Sequence, residues 1–496
     1  MAVQLQSGKG KVYAEQTITV TSSNWAKYYL QLKPDQTDDS ACLVIIARGK
    51  GTLAVDEVSL FPENTFKHRA NGLRNDLATC IANLHPKFMR FPGGCLVHGD
   101  GLGNMYQWKN TIGAVEERIQ QKNIWGYHQS LGLGYYEYFQ FCEDIGAKPL
   151  PVLPAAVSCQ NSGGTWRIGG TGQHALPIDE MKGYVQDVLD LIEWANGPAT
   201  SVWGAKRASA GHPKPFNLEY IGIGNEDKQT DNFRNRFKII YDAIKKAHPE
   251  ITVVGTVGPA PEGDDFEQGW KFATQQQVDI VDEHYYMSPQ WFIHNQHRYD
   301  AYNRSHSKVY VGEYASQGNT LYNALAEAAY MTSLEKNGDI VYMASYAPLL
   351  AKKGNTQWNP DLIYFDNVKV YTTVNYYVQQ MFATNMGNVY YANMVSGTND
   401  STITASCVTD KKTGDVIVKI VNMEKSIQPI HIYLSAFKNL DKQATVTIIK
   451  GNADDKNDFD YPEKIIPASS IFMYKKDIDY NAAGMSFSLI RIPVKK

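Results

Sequence analysis

From about residue 64 onward, short apolar runs alternate with longer amphipathic stretches, and this alternation limits the possible folds more than any other feature. Runs such as KPLPVL and YIGIGN are typical of strands that are buried on both faces. Between such runs, the stretch 178–195 carries apolar residues at helical spacing, and 232–247 reads as another helix. Strands that alternate with helices predict a parallel sheet with helices packed outside it.

Polar residues follow at the carboxyl ends of the predicted strands, which is where TIM barrels carry their catalytic groups. The positions are Arg90, the segment 153–160, Glu226, Thr256, His284, Glu313 and Ser345. A doubly wound sheet is the alternative, but no GxGxxG motif follows the first strand. We therefore predict an α/β fold with a TIM (β/α)8 barrel over residues 63–369.

Both ends of the chain are predicted to be β structure. Residues 1–62 contain the runs QTITVTS, KYYLQLK and ACLVIIA between polar turns, and the alternating segment 53–61 would close this region as a sandwich strand. Residues 370–496 show short strands between turns and predict a C-terminal β-sandwich. The expected order is thus a β-sandwich portion of carbohydrate-binding type, the barrel, and a second sandwich.

Charge and composition exclude several classes of protein. The 48 basic and 51 acidic residues give a net charge of -3, which offers no basic surplus for nucleic acid. No apolar run of about 18 residues predicts a membrane span. The six cysteines are too sparse for a disulfide scaffold or a zinc ribbon, so we expect buried free thiols. The first residues do not resemble a signal peptide.

Two glutamates are the strongest candidates for chemistry. Glu226 follows the apolar run YIGIGN, and Glu313 follows KVYVG, so each charged group stands where a buried strand stops. Cleavage of a glycosidic bond with retention needs one carboxylic acid to protonate the leaving oxygen and a second carboxylate to attack the anomeric carbon. The pair predicts a retaining glycoside hydrolase, with their carboxyl groups about 5–5.5 Å apart.

Neighbouring residues fit the same chemistry. Asn225 would hold a sugar hydroxyl or orient Glu226, and the segment 284–286 can face both glutamates because its strand lies between theirs. A tyrosine hydroxyl there could donate to the nucleophile and keep it ionised. No HExxH or GxSxG motif occurs, so a zinc hydrolase or a serine esterase is unsupported.

Taken together, these motifs resemble the α-L-arabinofuranosidases of glycoside hydrolase family 51, of the larger type that includes plant members. The resemblance covers roughly four-fifths of the chain. It rests on GLRNDLA (72–78), FMRFPGGC (88–95), MYQWKNTIG (105–113), IGIGNED (221–227), EHYY (283–286), GEYA (312–315) and NPDLIYF (359–365).

The resemblance implies a role for each candidate residue and implies no cofactor or metal. Glu226 would be the acid/base and Glu313 the nucleophile. The implied substrate contacts and supporting groups are Arg90 bracing the nucleophile, Asn225 on the sugar 2-hydroxyl, Cys95 beside the furanose, His284 in support, Tyr286 on the nucleophile, and Asp361 in the last sugar-contacting position.

The resemblance also raises a question about barrel strand one. The family places a first strand ahead of an inserted sandwich, and no such segment precedes residue 53 here. Because 53–61 alternates like a sandwich strand, we predict that the chain begins inside the insert and lacks that strand. A missing N-terminal fragment, a swapped segment or a partner chain would then cover the exposed strand edges.

The implied activity is the release of terminal α-L-arabinofuranosyl residues from arabinose-containing plant oligo- and polysaccharides. An endo-β-glucanase or xylanase on the same barrel is the alternative, and a non-catalytic sugar-binding protein is another. Loops 96–128 and 155–176 should close a pocket in an exo-acting enzyme, whereas an endo-acting enzyme needs an open groove. A secreted or periplasmic location is favoured over a cytoplasmic one.

Overall fold

The N-terminal region contains one three-stranded antiparallel sheet with its first strand in the middle. The structure is a computed structural model that describes residues 1–163, 171–399 and 401–495. The three strands are β1 (Ala2–Gln6), β2 (Val12–Thr17) and β3 (Cys42–Ile46). The run ACLVIIA therefore forms the strand that was predicted, whereas only the start of QTITVTS does.

Two other stretches that we predicted as strands, 27–33 and 53–61, have no regular secondary structure. Their apolar side chains are largely exposed, as shown by Val58 at 54% and Leu60 at 57%. An alternating pattern forms a strand only where a neighbour supplies hydrogen-bond partners and covers the apolar face. In the described part of the chain neither stretch has such a neighbour, so these two predictions are wrong.

The centre of the molecule is a parallel sheet of seven strands. Its members are β4 (Phe88–Phe91), β7 (Lys148–Leu153), β8 (Tyr220–Ile223), β9 (Thr252–Thr256), β10 (Ile280–Met287), β11 (Lys308–Ser316) and β12 (Val341–Tyr346); a short hairpin of β5 (Gln121–Lys122) and β6 (His128–Gln129) interrupts the series.

The strands lie side by side in their order along the chain. A doubly wound sheet reverses its order at a switch point, so this order excludes that alternative and agrees with a TIM barrel. Among the described residues, β4 pairs only with β7 and β12 only with β11. Because 53–61 pairs with neither, the sheet has seven barrel strands and two open edges.

Helices connect these strands and pack outside the sheet. They are α1 (Asn75–Ala82), α2 (Tyr135–Ile145), α3 (Met181–Asn196), α4 (Val202–Ser209), α5 (Asp231–Ala247), α6 (Asp264–Gln276), α7 (Pro289–His294) and α8 (Leu321–Lys336). Helix α5 buries Phe233, Phe237, Ile240 and Ile244 at the predicted helical spacing. Within the described residues no helix is both long and apolar enough to cross a membrane.

The C-terminal region is a two-layered antiparallel β structure, as predicted. A small sheet of β13 (Leu350–Lys352), β14 (Ile363–Phe365) and β15 (Val370–Thr372) precedes α9 (Val374–Thr384), a helix that our sequence analysis missed. Two sheets then face each other: β16 (Val389–Tyr390), β18 (Ile403–Thr409), β19 (Val416–Asn422), β24 (Ser486–Ile492), β21 (Gln443–Lys450) and β22 (Ala468–Met473) form one, and β17 (Val395–Ser396), β20 (Gln428–Ile432) and β23 (Ile478–Ala482) form the other.

Helix α8 joins the barrel to this sandwich, and it carries a buried carboxyl group. Glu327 is fully buried and accepts a 2.8 Å hydrogen bond from the backbone N–H of Ser316. Burial raises the pKa of Glu327 to about 8, although Asn375 and the Ser316 amide lower it in part. The group is therefore largely protonated in the folded protein at neutral pH.

This raised pKa predicts a pH-dependent stability. The unfolded chain releases the Glu327 proton near pH 4.5, whereas the folded chain keeps it until about pH 8. The wild-type protein should therefore lose about 1.4 kcal/mol per pH unit across that window through this one group. E327Q, which cannot ionise, should gain in Tm relative to wild type between pH 5 and pH 8. A Tm difference that stays constant with pH would contradict the assignment.

Candidate active site

Glu226 and Glu313 meet at the carboxyl-terminal end of the barrel. Glu313 lies within β11, whereas Glu226 stands three residues beyond the end of β8. The chain turns sharply there, because Gly224 and Glu226 have φ angles of 88° and 54°. A left-handed φ is unusual for glutamate and marks a backbone that its surroundings hold in place.

The two carboxylates face each other across a short gap. One oxygen from each lies within 4.8 Å of the other and of a nitrogen of His284. Retaining glycosidases separate their carboxyl groups by about 5–5.5 Å, whereas inverting enzymes need roughly 6.5–9.5 Å to admit a water molecule. The short separation fits the retaining geometry, in which one carboxylate attacks the anomeric carbon directly.

Glu313 is held by donors on both of its oxygens. Arg90 Nη1 donates to Oε1 at 2.7 Å, and the Tyr286 hydroxyl donates to Oε2 at 2.7 Å. Burial alone would raise the pKa of Glu313, but His284, Arg90 and Tyr286 outweigh it and hold that pKa below its ordinary value. Glu313 is therefore ionised at neutral pH, as a nucleophile must be.

His284 connects the two carboxylates. Its Nδ1 lies 2.8 Å from Glu226 Oε1 and 3.7 Å from Glu313 Oε2, and its Nε2 lies 3.2 Å from Asp282 Oδ2. Burial lowers the pKa of His284, but the charges of Glu313 and Asp282 outweigh it and raise that pKa well above the ordinary value. The ring is thus an imidazolium that donates from both nitrogens.

Asn225 and Cys95 lie beside the same pair. Arg90 Nη2 donates to the Asn225 side-chain oxygen at 2.5 Å, so one guanidinium contacts both Asn225 and Glu313. The buried Asn225 amide nitrogen has no hydrogen-bond partner among the described residues. Cys95 Sγ lies 3.9 Å from Glu226 Oε2.

Asp361 stands further out on the wall of the same cavity. Its side chain is 2% exposed in total, and one carboxyl oxygen has no hydrogen-bond partner among the described residues. Burial raises the pKa of Asp361 to about 7. The structure records no direct contact between Asp361 and either glutamate, so seven of the eight predicted residues form one cluster and Asp361 lies apart from it.

The cavity at this site has a volume of about 2510 Å³ and extends to the gap between β4 and β12. Trp125 from the 96–128 loop and Trp358 from the segment before β14 both line it. These rings are 39% and 46% exposed, and Trp358 packs edge-on against Tyr286 with centroids 4.9 Å apart. Of the second predicted loop, 155–176, residues 164–170 lie outside the described part of the chain.

Glu226, His284 and Glu313 also have donor atoms close enough together to hold a metal ion. The contacts already made by Glu313 argue against that use, since both of its oxygens accept hydrogen bonds and the Arg90 guanidinium lies 2.7 Å away. A protonated His284 has no lone pair to offer a metal. The hydrogen bonds that Glu226 and Glu313 make to His284, Arg90 and Tyr286 explain why these donor atoms lie close together.

Our sequence analysis missed three buried residues of the site, which are Asp282, His98 and Asp227. Asp282 stands two residues before His284, so both side chains point to the same face of β10, and this spacing could have revealed it. Asp227 directly follows Glu226 in the motif IGIGNED, but its partner His98 comes from a loop 129 positions away. No local pattern in the sequence connects those two.

Comparison with known proteins identifies relatives along most of the chain. Residues 80–304 match the family model for the α-L-arabinofuranosidase 1 domain, and residues 297–486 match that for the α-L-arabinofuranosidase C-terminal domain. An extracellular exo-α-L-arabinofuranosidase of Streptomyces chartreusis is 47% identical over 401 residues. That match covers 78% of this chain but 47% of the Streptomyces protein, so the chain spans about half the length of that relative.

Other relatives are covered more fully. α-L-Arabinofuranosidase 1 of Arabidopsis thaliana is 34% identical over 98% of this chain and 71% of its own length. The solved structure of an arabinose-bound MgGH51 α-L-arabinofuranosidase aligns with 100% of this chain and 79% of its own, at 30% identity and a TM-score of 0.86. A Thermotoga maritima α-L-arabinofuranosidase shares the fold with a TM-score of 0.67 at 17% identity, over 86% of this chain and 91% of its own. These matches confirm the predicted barrel class.

Proposed function

The chain belongs to the glycoside hydrolase family 51 α-L-arabinofuranosidases, and from this premise we propose that it releases terminal α-L-arabinofuranosyl residues with retention of configuration. The observation that carries the proposal is the pair Glu226 and Glu313, whose oxygens approach within 4.8 Å beside His284. Arg90 and Tyr286 hold Glu313 in the ionised form that attack on the anomeric carbon requires.

In the first step, Glu313 forms a bond to the anomeric carbon while the bond to the leaving oxygen breaks. Glu226 supplies the proton, so the aglycone departs as an alcohol and the sugar remains as an ester of Glu313. His284 occupies Glu226 Oε1, which leaves Oε2, the oxygen nearest Cys95, to carry that proton. In the second step, Glu226 takes a proton from water, the water oxygen bonds to the anomeric carbon, and Glu313 departs as a carboxylate.

The remaining predicted residues would bind the sugar. Asn225 has a buried amide nitrogen without a partner among the described residues, and it would donate to the 2-hydroxyl. Asp361 has an unpaired carboxyl oxygen on the cavity wall and would accept from a more distant hydroxyl. We propose arabinose-containing plant polysaccharides and their oligosaccharides as substrates. The support is that the relatives are named α-L-arabinofuranosidases.

A panel of aryl glycosides and polymers tests this function. We expect hydrolysis of 4-nitrophenyl α-L-arabinofuranoside, and proton NMR of the first product formed should show the α anomer. Carboxymethyl cellulose and unsubstituted xylan should be left intact. Cleavage of either polymer without release of arabinose would favour the endo-acting alternative, and a β product would exclude double displacement.

A second test concerns Tyr286, whose hydroxyl bonds to Glu313. Tyr286→Phe should lower kcat/KM by about 10–100-fold, since hydrogen bonds to charged groups contribute roughly 1.5–3 kcal/mol. Because this bond lowers the pKa of Glu313, its loss should also move the acidic limb of the kcat/KM profile to higher pH. The matched control is Tyr376→Phe, which removes a 2.8 Å bond to the Cys80 carbonyl outside the cavity. An unchanged acidic limb in Tyr286→Phe would contradict the role.

We also propose that a further polypeptide segment closes the barrel between β4 and β12. Both edges lack a partner strand in the described part of the chain, and apolar side chains including Met89 and Met343 line the gap between them. Open edges of parallel strands are prone to pair with other chains. The backbone N–H groups of 88–91 and 341–346 that point into the gap should exchange slowly, like those of the central strand β9, once the gap is filled, and fast while it is open.

We propose a location outside the cytoplasm, either secreted or periplasmic. The support is that the Streptomyces relative is described as extracellular. An enzyme outside the cytoplasm would have direct access to plant polysaccharides.

A further inference from the structure

A buried pair of ionisable residues, His98 and Asp227, adjoins the candidate site and takes no part in the steps above. The two residues are 0% and 1% exposed, and His98 Nε2 lies 3.2 Å from Asp227 Oδ2. On its other side, His98 Nδ1 lies 2.7 Å from the backbone carbonyl of Val157. Buried pairs of this kind are poor sources of stability, so their presence calls for another explanation.

The contacts of His98 extend beyond Asp227 to the backbone of Asn225. Nδ1 faces a carbonyl oxygen and donates to it. Nε2 faces two groups, which are Asp227 Oδ2 at 3.2 Å and the backbone N–H of Asn225 at 3.0 Å. Burial lowers the pKa of His98, but the charge of Asp227 and the hydrogen bond to it outweigh burial and raise that pKa. Both members of the pair contact the backbone N–H of Asn225, which lies 3.0 Å from His98 Nε2 and 2.9 Å from Asp227 Oδ2.

The carboxylate of this pair also holds the turn that presents Glu226. Asp227 Oδ2 accepts a 2.9 Å hydrogen bond from the backbone N–H of Asn225. It lies so close to Gly224 that a Cβ at that position would come within 2.4 Å of it. Any side chain at position 224 would collide with this carboxylate, so the position requires glycine. Glu226 itself has the left-handed φ of 54°, which costs free energy unless other contacts fix it.

A single loop reaches both parts of this turn. Three residues before His98, Cys95 places its sulfur 3.9 Å from the Glu226 carboxylate. The remaining contact to the backbone of Glu226 comes from Thr256 Oγ1, at 3.1 Å from its N–H. Without Asp227, the N–H of Asn225 would keep its contact with His98 Nε2 and the N–H of Glu226 its contact with Thr256, and the carboxylate that packs against Gly224 would be missing.

We propose that His98 and Asp227 are positioning residues, which hold the Asn225–Glu226 turn so that Glu226 can protonate the leaving oxygen. The inference rests on the proposed function, in which Glu226 is the acid. It predicts that disturbing Asp227 harms substrates that need protonation more than substrates that do not. General acid catalysis contributes about 10²–10⁴-fold for poor leaving groups and little for good ones.

The test compares two substrates in wild type, Asp227→Asn and Asp227→Ala. The substrates are 2,4-dinitrophenyl α-L-arabinofuranoside, whose leaving group needs no proton, and an α-1,5-linked arabinobiose, whose leaving group does. We expect the ratio of kcat/KM for the aryl substrate to that for the disaccharide to rise about tenfold in Asp227→Ala. Asp227→Asn keeps an oxygen that can accept from Asn225, so its ratio should lie between those of wild type and Asp227→Ala.

Lys419→Met is the matched control for loss of a buried ion pair. Lys419 is fully buried and bonds to Glu335 on α8 at 2.6 Å, in the sandwich interface. This variant should lose stability without changing the ratio. Equal losses on both substrates in the folded Asp227 variants, or a lower Tm with an unchanged ratio, would overturn the inference. A wild-type chain inactive on both substrates would instead contradict the proposed function, and with it this inference.

Discussion

Replacing Glu313 with alanine is expected to reduce turnover of every arabinofuranoside by at least about 10⁴-fold, because no covalent intermediate can form. Arg90 and Tyr286, which each bond to this carboxylate at 2.7 Å, would remain in place but have nothing to hold. The loss should be as large for activated aryl substrates as for natural ones, since attack at the anomeric carbon is needed for both. Initial rates on 4-nitrophenyl α-L-arabinofuranoside measure it.

Azide distinguishes a missing nucleophile from a damaged protein. In Glu313→Ala the space left by the carboxylate admits a small anion, which would attack the anomeric carbon from the same side. The product should therefore be the β-arabinofuranosyl azide, with inverted configuration. The matched control is E327Q, which changes another fully buried glutamate and should retain activity, because Glu327 is largely protonated at neutral pH. Residual activity of several per cent in Glu313→Ala would show that another group is the nucleophile.

The barrel could be predicted because a strand that is buried on both faces has a continuous apolar sequence. Strands such as β8 and β9 are continuous apolar runs, and helices such as α5 carry apolar residues at a fixed spacing. Their alternation predicts a parallel sheet without any knowledge of contacts. The pattern at 53–61 misled us because alternation reports only that one face could be covered, and whether a neighbour covers it is a tertiary property.

The candidate site was predictable to the extent that its residues stand at strand ends. Glu313, His284 and Arg90 lie on strands, so the end of each apolar run located them. His98 could not be found in this way, because it lies in a loop and acts through Asp227, 129 positions away. The charge on His284 likewise depends on Asp282 and Glu313, which surround it only in the folded chain.

Glu226→Ala should give a different kinetic result from Glu313→Ala, because the acid is needed only when the leaving group is poor. For arabino-oligosaccharides we expect kcat/KM to fall by about 10²–10⁴-fold. For 2,4-dinitrophenyl α-L-arabinofuranoside, kcat/KM should change little, since it reports the first step and this leaving group departs without a proton. Its kcat should fall, because the second step then lacks a base, and KM should fall with it as the ester of Glu313 accumulates.

Azide gives this variant a signature of its own. An anion that enters the space left by Glu226 needs no base, so it should attack the ester of Glu313 and restore kcat on the dinitrophenyl substrate. Attack on that ester inverts the configuration a second time, and the product should be the α-arabinofuranosyl azide. The two alanine variants would therefore yield opposite anomers from one substrate. If the roles of Glu226 and Glu313 were exchanged, the two products would be exchanged as well, so the pair of anomers assigns the acid/base and the nucleophile.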